Sequence, residues 1–354
     1  MLRVDELEKR VRDIVVVRFS AIGDVVLTLP VLDALHERFP AARIDYATKA
    51  EFAGLVRRHP AVSRVWSLQK QAGFAGLRKM AREMDERRYD LLVDLHRNLR
   101  STYLRLFGNA SMKRAYKKRI VARLLLKNAG LNLLRDAPPV ADRYFTALEE
   151  FSIQRDGRLP VLHLDEAAAR AGDEALAGQG LGEGEAFIAL APGASYPTKR
   201  WPPPRFAEAA AELGGGKMKA VVLGGGGDRE VARAVAEELG KRDMGAIDLA
   251  GRLTIIESAA VLRRASLLIT NDSGLMHVAA ALEVPVAAVF GPTSRELGFY
   301  PLGSRSRVVE SHDLSCRPCT LHGDLVCPRR HFRCMEDISA REVAAAAREI
   351  MAGP

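Results

Sequence analysis

Short β-branched runs, each closed by a Gly-, Pro- or Ser-containing loop and followed by a helix-length segment, recur along this 354-residue chain. Strands in such a series lie parallel only if a crossover of a dozen or more residues joins them, usually a helix. The pattern therefore predicts an α/β protein with parallel sheets covered by helices on both faces. In the first half, IVVVRF (14–19) leads into SAIGD and then VVLTLPVLDALHERF at helical spacing. Further strands are expected at 43–47, 62–68 and 89–95. The second half alternates more clearly, with strands expected at 187–192, 219–224, 246–251, 267–270, 284–290 and 307–311. Helices fall between them, near 204–213, 228–240, 254–265 and 274–282. A last helix, about 339–351, carries Val343, Ala346, Ala347 and Ile350 on one face.

Between 136 and 184 the pattern loosens, with Pro138, Pro139, Gly157, Pro160 and the run GQGLGEGE. A boundary there gives two domains, 1–180 and 181–354, in keeping with about 150 residues per domain. No apolar run approaches the ~20 residues of a membrane span. The best candidate, 277–290, is interrupted by Glu283 and Pro285. The N-terminus is charged and lacks the apolar block of a secretory leader. All four cysteines lie between 316 and 334, which is not a disulfide-dense secreted pattern. The expectation is a soluble cytoplasmic protein.

Charge is concentrated in one place. Eleven Lys or Arg and no acid lie between Leu95 and Arg135, while the whole chain carries +9. Such a field attracts a polyanion: nucleic acid, an anionic membrane or a phosphorylated substrate. Few aromatics accompany it, which disfavours base stacking. The alternation of cations and leucines in 117–134 suits an interfacial helix, so an anionic lipid fits better than nucleic acid. A merely solvated face is the plain alternative.

Four segments fall at expected strand ends. In RFSAIGDVVLTLP (18–30), Gly23 permits a tight turn and Asp24 opens the following helix, where it is either an N-cap or a reactive carboxylate. In APGASYPTKRWP (191–202), Ser195 and Thr198 offer hydroxyls, and Lys199 and Arg200 offer cations, a set able to hold phosphate oxygens or simply a surface loop. GGGGDRE (224–230) lacks G-x-G-x-x-G; its Asp228 and Glu230 are candidates for ribose hydroxyls or ordinary acids of a first helical turn. In TNDSGLMHVAAAL (270–282), Asp272, Ser273 and Gly274 open a helix whose free N–H groups suit an anion, with His277 one turn in. GPTS (291–294) adds hydroxyls and amides after the next strand. Individually, Asp272 or Ser273 reads as a cap and His277 as a core histidine.

SAIGDVVLTLP, PGASYPTKRWP, NDSGLMHVAAAL and FGPTS, in this order and spacing, resemble family 9 glycosyltransferases, the ADP-heptose:lipopolysaccharide heptosyltransferases. The resemblance covers essentially the whole chain. It implies a GT-B fold, with two Rossmann-like domains facing a cleft, the acceptor in the first domain, the nucleotide sugar in the second, and the last helix returning toward the first. It implies inverting, metal-independent transfer of heptose from ADP-heptose to the inner core on lipid A. Asp24 matches the family's catalytic base, and Lys199 the lysine that offsets diphosphate charge. Asp272, Ser273, Gly274, Leu275 and His277 match the segment around diphosphate and sugar, with Ser195 and Thr198 beside them and Asp228 or Glu230 at the ribose. On the acceptor side stand Gly23 and the cations Arg97, Arg100, Lys117, Lys118 and Arg119 of the basic segment, which then fits a phosphorylated lipid acceptor and a peripheral position at the cytoplasmic face of the inner membrane.

Cys316, Cys319, Cys327 and Cys334 form C-x2-C-x7-C-x6-C. Four thiols so close are candidate ligands for a structural zinc, with reduced buried thiols or disulfides as the alternatives. No cofactor is expected for catalysis. Two other functions are set beside the leading one. A nucleotide-dependent oxidoreductase would suit the repeated strand–Gly–helix junctions but lacks its fingerprint, and a basic nucleic-acid-binding protein leaves all four motifs unexplained.

Overall fold

In the computed structural model the described residues are 10–214, 218–312 and 314–352. The charged segment 1–9, part of the leader argument, lies outside them. The chain divides into two compact units, each built on its own parallel sheet.

The first unit comprises 1–119 and 140–163. Its strands are β1 (Asp13–Val17), β2 (Arg43–Lys49), β3 (Val62–Leu68), β4 (Tyr89–Asp94) and β5 (Ala110–Ala115). They pair in the order β3-β2-β1-β4-β5, all parallel. Residues 14–17 of β1 and 91–93 of β4 read as apolar runs because both of their faces are covered. β5 was not foreseen. Its sequence ASMKRA carries Lys113 and Arg114, the composition of an edge strand protected by charge rather than of a core strand.

The second unit comprises 120–139 and 164–354. Its strands are β6 (Phe187–Ala191), β7 (Lys219–Val222), β8 (Ala246–Asp248), β9 (Leu267–Asn271), β10 (Val286–Phe290) and β11 (Ser306–Glu310). The order is β11-β10-β9-β6-β7-β8, again parallel.

The expected division at 180 is replaced by this one for two reasons. The helix Glu166–Ala177 packs on the helix Ile255–Arg264 of the second unit so closely that a Cβ on Gly172 would lie 2.7 Å from that of Ala260. The helix Ile120–Ala129 and its following turn also join the second unit, where Leu126 and Leu134 pack with Leu297. The last helix, Ala340–Met351, buries Val343, Ala344, Ala347 and Ile350 in the core around Trp201 and Phe206 of the second unit. Its apolar face is thus used on the second sheet, and Ala344, not Ala346, completes it. Ser339 and Glu342 cap its start reciprocally.

Each sheet reverses its strand order once, between β1 and β4 in the first unit and between β6 and β9 in the second. Crevices at the carboxyl ends of strands flanking such a switch point are where α/β sheets bind ligands. Asp24 follows β1, the 192–200 loop follows β6, and Asp272 follows β9.

Candidate active site

At the first switch point Arg18 ends the apolar run of β1. It is almost fully buried, and its guanidinium bonds outward to three fixed acceptors. Nη1 donates to the Leu95 carbonyl (2.6 Å), Nε to the Ser20 carbonyl (2.8 Å), and Nη2 meets Asp24 Oδ1 at 2.5 Å. Tyr144 donates its hydroxyl to the same Oδ1 (3.0 Å), and the Ala21 N–H donates to Oδ2 (3.1 Å). Asp24 therefore does part of a capping task, at the third helical position, while its Oδ1 carries an ion pair. Burial pushes the carboxyl up, but Arg18, the Ala21 amide and Tyr144 outweigh it and hold the group below the usual carboxylate range. Gly23 is buried beside it.

β4 closes the other side. Asp94 Oδ1 accepts from the backbone of His96 (2.9 Å) and Arg97 (2.8 Å), and His96 Nδ1 accepts from the Phe19 N–H (3.1 Å). Burial, with Arg18, Lys118 and Arg100 nearby, pushes His96 down to about 3, so the imidazole is neutral at physiological pH. Arg97 adopts a left-handed backbone (φ 52°) and reaches the Tyr116 carbonyl at 3.3 Å.

The basic run does not act as one field. Lys117 pairs with Glu149 (2.5 Å), and Arg114 pairs with Glu150, both acids supplied from outside the run. From Ile120 onward the run belongs to the second unit. Lys118 and Arg100 remain beside His96, and Arg119 is exposed.

At the second switch point Lys199 Nζ lies 2.6 Å from Asp272 Oδ2, which also accepts from the Thr293 hydroxyl (2.8 Å). Asn271 ties the loop to the strand: its Oδ1 accepts from the Trp201 N–H (3.0 Å), and its Nδ2 donates to the Pro192 carbonyl (2.7 Å). Ser273 stands at the N-cap position of the helix Gly274–Ala281 without a side-chain capping bond and shares a hydroxyl contact with Thr270 (3.1 Å); Leu275 is half-buried and His277 buried. Thr198 is not presented to a ligand. Its buried hydroxyl donates to the Asp324 carbonyl and accepts from the Asp324 N–H, both at 2.8 Å. Ser195 is exposed. Asp228 caps the glycine turn by accepting from the Gly225 N–H (2.9 Å) and packs so tightly that a Cβ on Gly193 would stand 2.3 Å from its Cγ. Glu230 points out from its helix.

The four cysteines are free thiols. Cys316 Sγ lies 3.8 Å from His331 Nε2, and burial together with the neighbouring thiols pushes Cys334 up to about 12. Among the described residues no group of three or more His, Cys, Asp or Glu side chains is arranged to hold a metal ion. The same loop is tied down by Arg317, which donates to the carbonyls of Gly291, Ser311 and Thr293 (2.9 Å for the last) and pairs with Glu310.

Sequence reasoning missed Arg18, His96, Tyr144, Asn271 and Arg317. Arg18 did leave a signal, a cation ending an otherwise apolar strand. Tyr144 left none, since it comes from the loosened stretch after the basic run.

The family model for glycosyltransferase family 9 (heptosyltransferase) matches residues 77–327. The chain belongs to glycosyltransferase family 9. Lipopolysaccharide heptosyltransferase 2 of Salmonella typhimurium is 28% identical to this family 9 enzyme over 306 residues, covering 84% of this chain and 87% of that one. The family 9 glycosyl transferase of Veillonella parvula superposes with a TM-score of 0.80 at 25% identity, covering 97% of this chain and 98% of the other. The E. coli ADP-heptose lipopolysaccharide heptosyltransferase II gives 0.75 at 24% identity, covering 96% and 98%. Two parallel Rossmann-like sheets in this order are the GT-B architecture of the family. A family 9 glycosyltransferase leaves no place for the oxidoreductase and nucleic-acid readings.

Proposed function

We propose that this family 9 enzyme transfers heptose from ADP-heptose to a hydroxyl of the lipopolysaccharide inner core, with inversion at the anomeric carbon. The observation that carries the reading is the pair of oppositely charged sites at the two switch points, Asp24 on Arg18 and Lys199 on Asp272. The acceptor oxygen attacks the anomeric carbon as the bond to the diphosphate breaks, ADP departs with that electron pair, and the hydroxyl proton passes to Asp24. A carboxylate held ionised by Arg18 is a weak base at rest. It receives the proton because the acceptor oxygen grows acidic as its bond to the sugar forms. Lys199 offsets the charge developing on the departing diphosphate, assisted by the N–H groups at the start of the helix Gly274–Ala281.

Asp272 then serves by holding Lys199 and by accepting from sugar hydroxyls, not by contacting phosphate, which its charge would repel. Thr198 and Asp228 act by fixing the loops, and Arg100 and Lys118 are the cations best placed for an anionic acceptor. Among the described residues no helix is long and apolar enough to cross a membrane. A lipid-borne acceptor accordingly puts the enzyme at the cytoplasmic face of the inner membrane as a peripheral protein. A structural metal at the four thiols is a separate proposal that metal analysis of the purified protein decides.

The test is an assay of the purified enzyme with ADP-heptose and a panel of truncated lipid A–Kdo acceptors. ADP release matched by a heptosylated product is the expected result. ADP-heptose left untouched while another nucleotide sugar is consumed would overturn the donor assignment.

A further inference from the structure

The helices Gly73–Asp85 and Leu99–Phe107 of the first unit turn Leu77, Met80, Ala81, Met84 and Leu104 into its core. A surface helix normally faces solvent with polar residues on the opposite side. Here the second helix also exposes Leu99, Leu106 and Phe107, and the first exposes Phe74 at its start. Leu99, Tyr103 and Phe107 are spaced at i, i+4 and i+8, so they form one stripe along the second helix. Phe74 at the start of the first helix sits edge-on to Tyr103 at 4.9 Å between ring centroids, and Phe107 lies 4.9 Å from Tyr103 on its other side. Leu99 is 91% exposed, Phe107 66%, Leu106 63% and Phe74 59%. Contiguous exposed apolar groups of this kind mark a surface that another body covers.

The charges around the patch say what that body is. Lys70 precedes Phe74 by four residues, Arg78 follows it by one helical turn on the same face, and Arg100 borders Tyr103. None of the three pairs with a carboxylate among the described residues, whereas nearby Lys79 is paired with Glu83 at 3.8 Å. A second copy of the chain would bring like cations together, while an anionic surface complements them. Aromatic rings with a polar edge and leucines flanked by cations are the composition that settles at a lipid headgroup boundary.

We propose that the Phe74–Tyr103–Phe107 cluster, with Leu99 and Leu106, is the surface by which the enzyme docks on an anionic lipid bilayer. The proposal rests on the lipid-borne acceptor of the preceding reading, and it places the anchor on the same unit as Asp24.

Co-sedimentation of the full chain with phosphatidylglycerol-containing vesicles, against phosphatidylcholine alone, tests it. Wild type partitions to the anionic vesicles. Phe74→Ser with Phe107→Ser lowers that partition by roughly tenfold or more, because each ring loses its apolar burial. Lys70→Gln with Arg78→Gln weakens it less and flattens its salt dependence. Both positions being exposed, the double aromatic variant keeps its unfolding temperature, its ADP affinity and its transfer rate to a water-soluble acceptor fragment. Unchanged partition in that variant, or a wild type that ignores anionic vesicles, overturns the proposal. So does a wild-type dimer that the aromatic substitutions convert to monomer, since the patch is then a subunit interface. If wild type transfers heptose to no acceptor while the aromatic pair still governs vesicle binding, the functional reading fails and the docking surface stands.

Discussion

At the switch point of the first sheet the cation is the fixed partner. Arg18 spends its guanidinium on two backbone carbonyls and on Asp24, and its side chain is 7% exposed against 19% for the carboxylate it holds. At the switch point of the second sheet the carboxylate is the fixed partner. Asp272 accepts from Thr293 and sits at the end of β9, while Lys199 reaches it from a loop that Asn271 and Asp324 hold in place. Two ion pairs of similar length thus anchor opposite charges and present opposite charges. The difference fits the two chemical needs of glycosyl transfer, a base for the incoming hydroxyl and a cation for the outgoing diphosphate.

Removing the presented member of each pair should separate the two roles. Asp24→Asn keeps the shape and a hydrogen bond but cannot take a proton, so kcat should fall by roughly 10² to 10⁴ with ADP affinity unchanged. Steady-state kinetics and ADP calorimetry on the same preparation read both numbers. Near-wild-type turnover would reduce Asp24 to its capping role. Lys199→Ala should act on the other side, lowering kcat/KM by about 10² to 10³ and weakening ADP binding as well. An alanine variant that binds ADP like wild type would mean that the loop does not hold the diphosphate.

The anchoring cation can be tested through pH. With Arg18 in place the Asp24 carboxyl lies below its ordinary value of 3.8, so kcat/KM should be flat through neutrality and fall only at more acid pH. Arg18→Met leaves burial unopposed by that cation, and the acid limb should move upward. Stability follows the same direction: the pair stabilises the fold above the unfolded carboxyl value and loses this as pH falls through the folded one. His96 adds a wider window. Its folded value is about 3, whereas an unfolded histidine titrates near 6.5. Between these limits the unfolded chain binds the extra proton, so stability should fall as pH drops below about 6.5 and level off near 3. Urea denaturation across that range should show the slope in wild type and a shallower one in His96→Gln.

Much of this was legible in the sequence, and the reason is periodicity. Buried parallel strands such as β1, β6 and β9 must be apolar on both faces, so they stand out, and the residue after each one is marked as a site. The segments that hold Asp24, Lys199 and Asp272 stand out in this way, while the roles proposed for those residues come from the family resemblance. What escaped were residues whose role depends on a distant chain segment. Thr198 reads as a phosphate donor until Asp324 takes both roles of its hydroxyl, and Asp228 reads as a ribose acid although one of its oxygens also caps the Gly225 turn. The basic run misled for a similar reason: the acids that neutralise Lys117 and Arg114 come from Glu149 and Glu150, and the unit boundary falls inside it. β5 was lost because ASMKRA, with Lys113 and Arg114 on a half-exposed edge, has no apolar run to mark it.

Tyr144 is the finest test of the contrast, because it asks whether Asp24 is oriented by one fixed partner or two. The hydroxyl meets Oδ1 at 3.0 Å, the oxygen already bound by Arg18, and burial holds the phenol well above its usual range, so it remains a donor throughout the working pH. Tyr144→Phe removes that single bond and little else, since the ring keeps its edge contact with Tyr116 at 5.0 Å and its place under Arg18. A hydrogen bond to a charged group contributes about 1.5 to 3 kcal/mol, yet Arg18 and the Ala21 amide remain to hold the carboxylate. The loss in kcat should therefore be only about three- to tenfold, smaller than for either charge removal, with ADP affinity untouched. The acid limb of the pH profile should rise slightly, because one donor to the ionised form is gone. A loss as large as that of Asp24→Asn would show that Tyr144, rather than Arg18, sets the orientation of the base. The first switch point would then be built around a neutral donor, and its symmetry with the Lys199–Asp272 pair would end there.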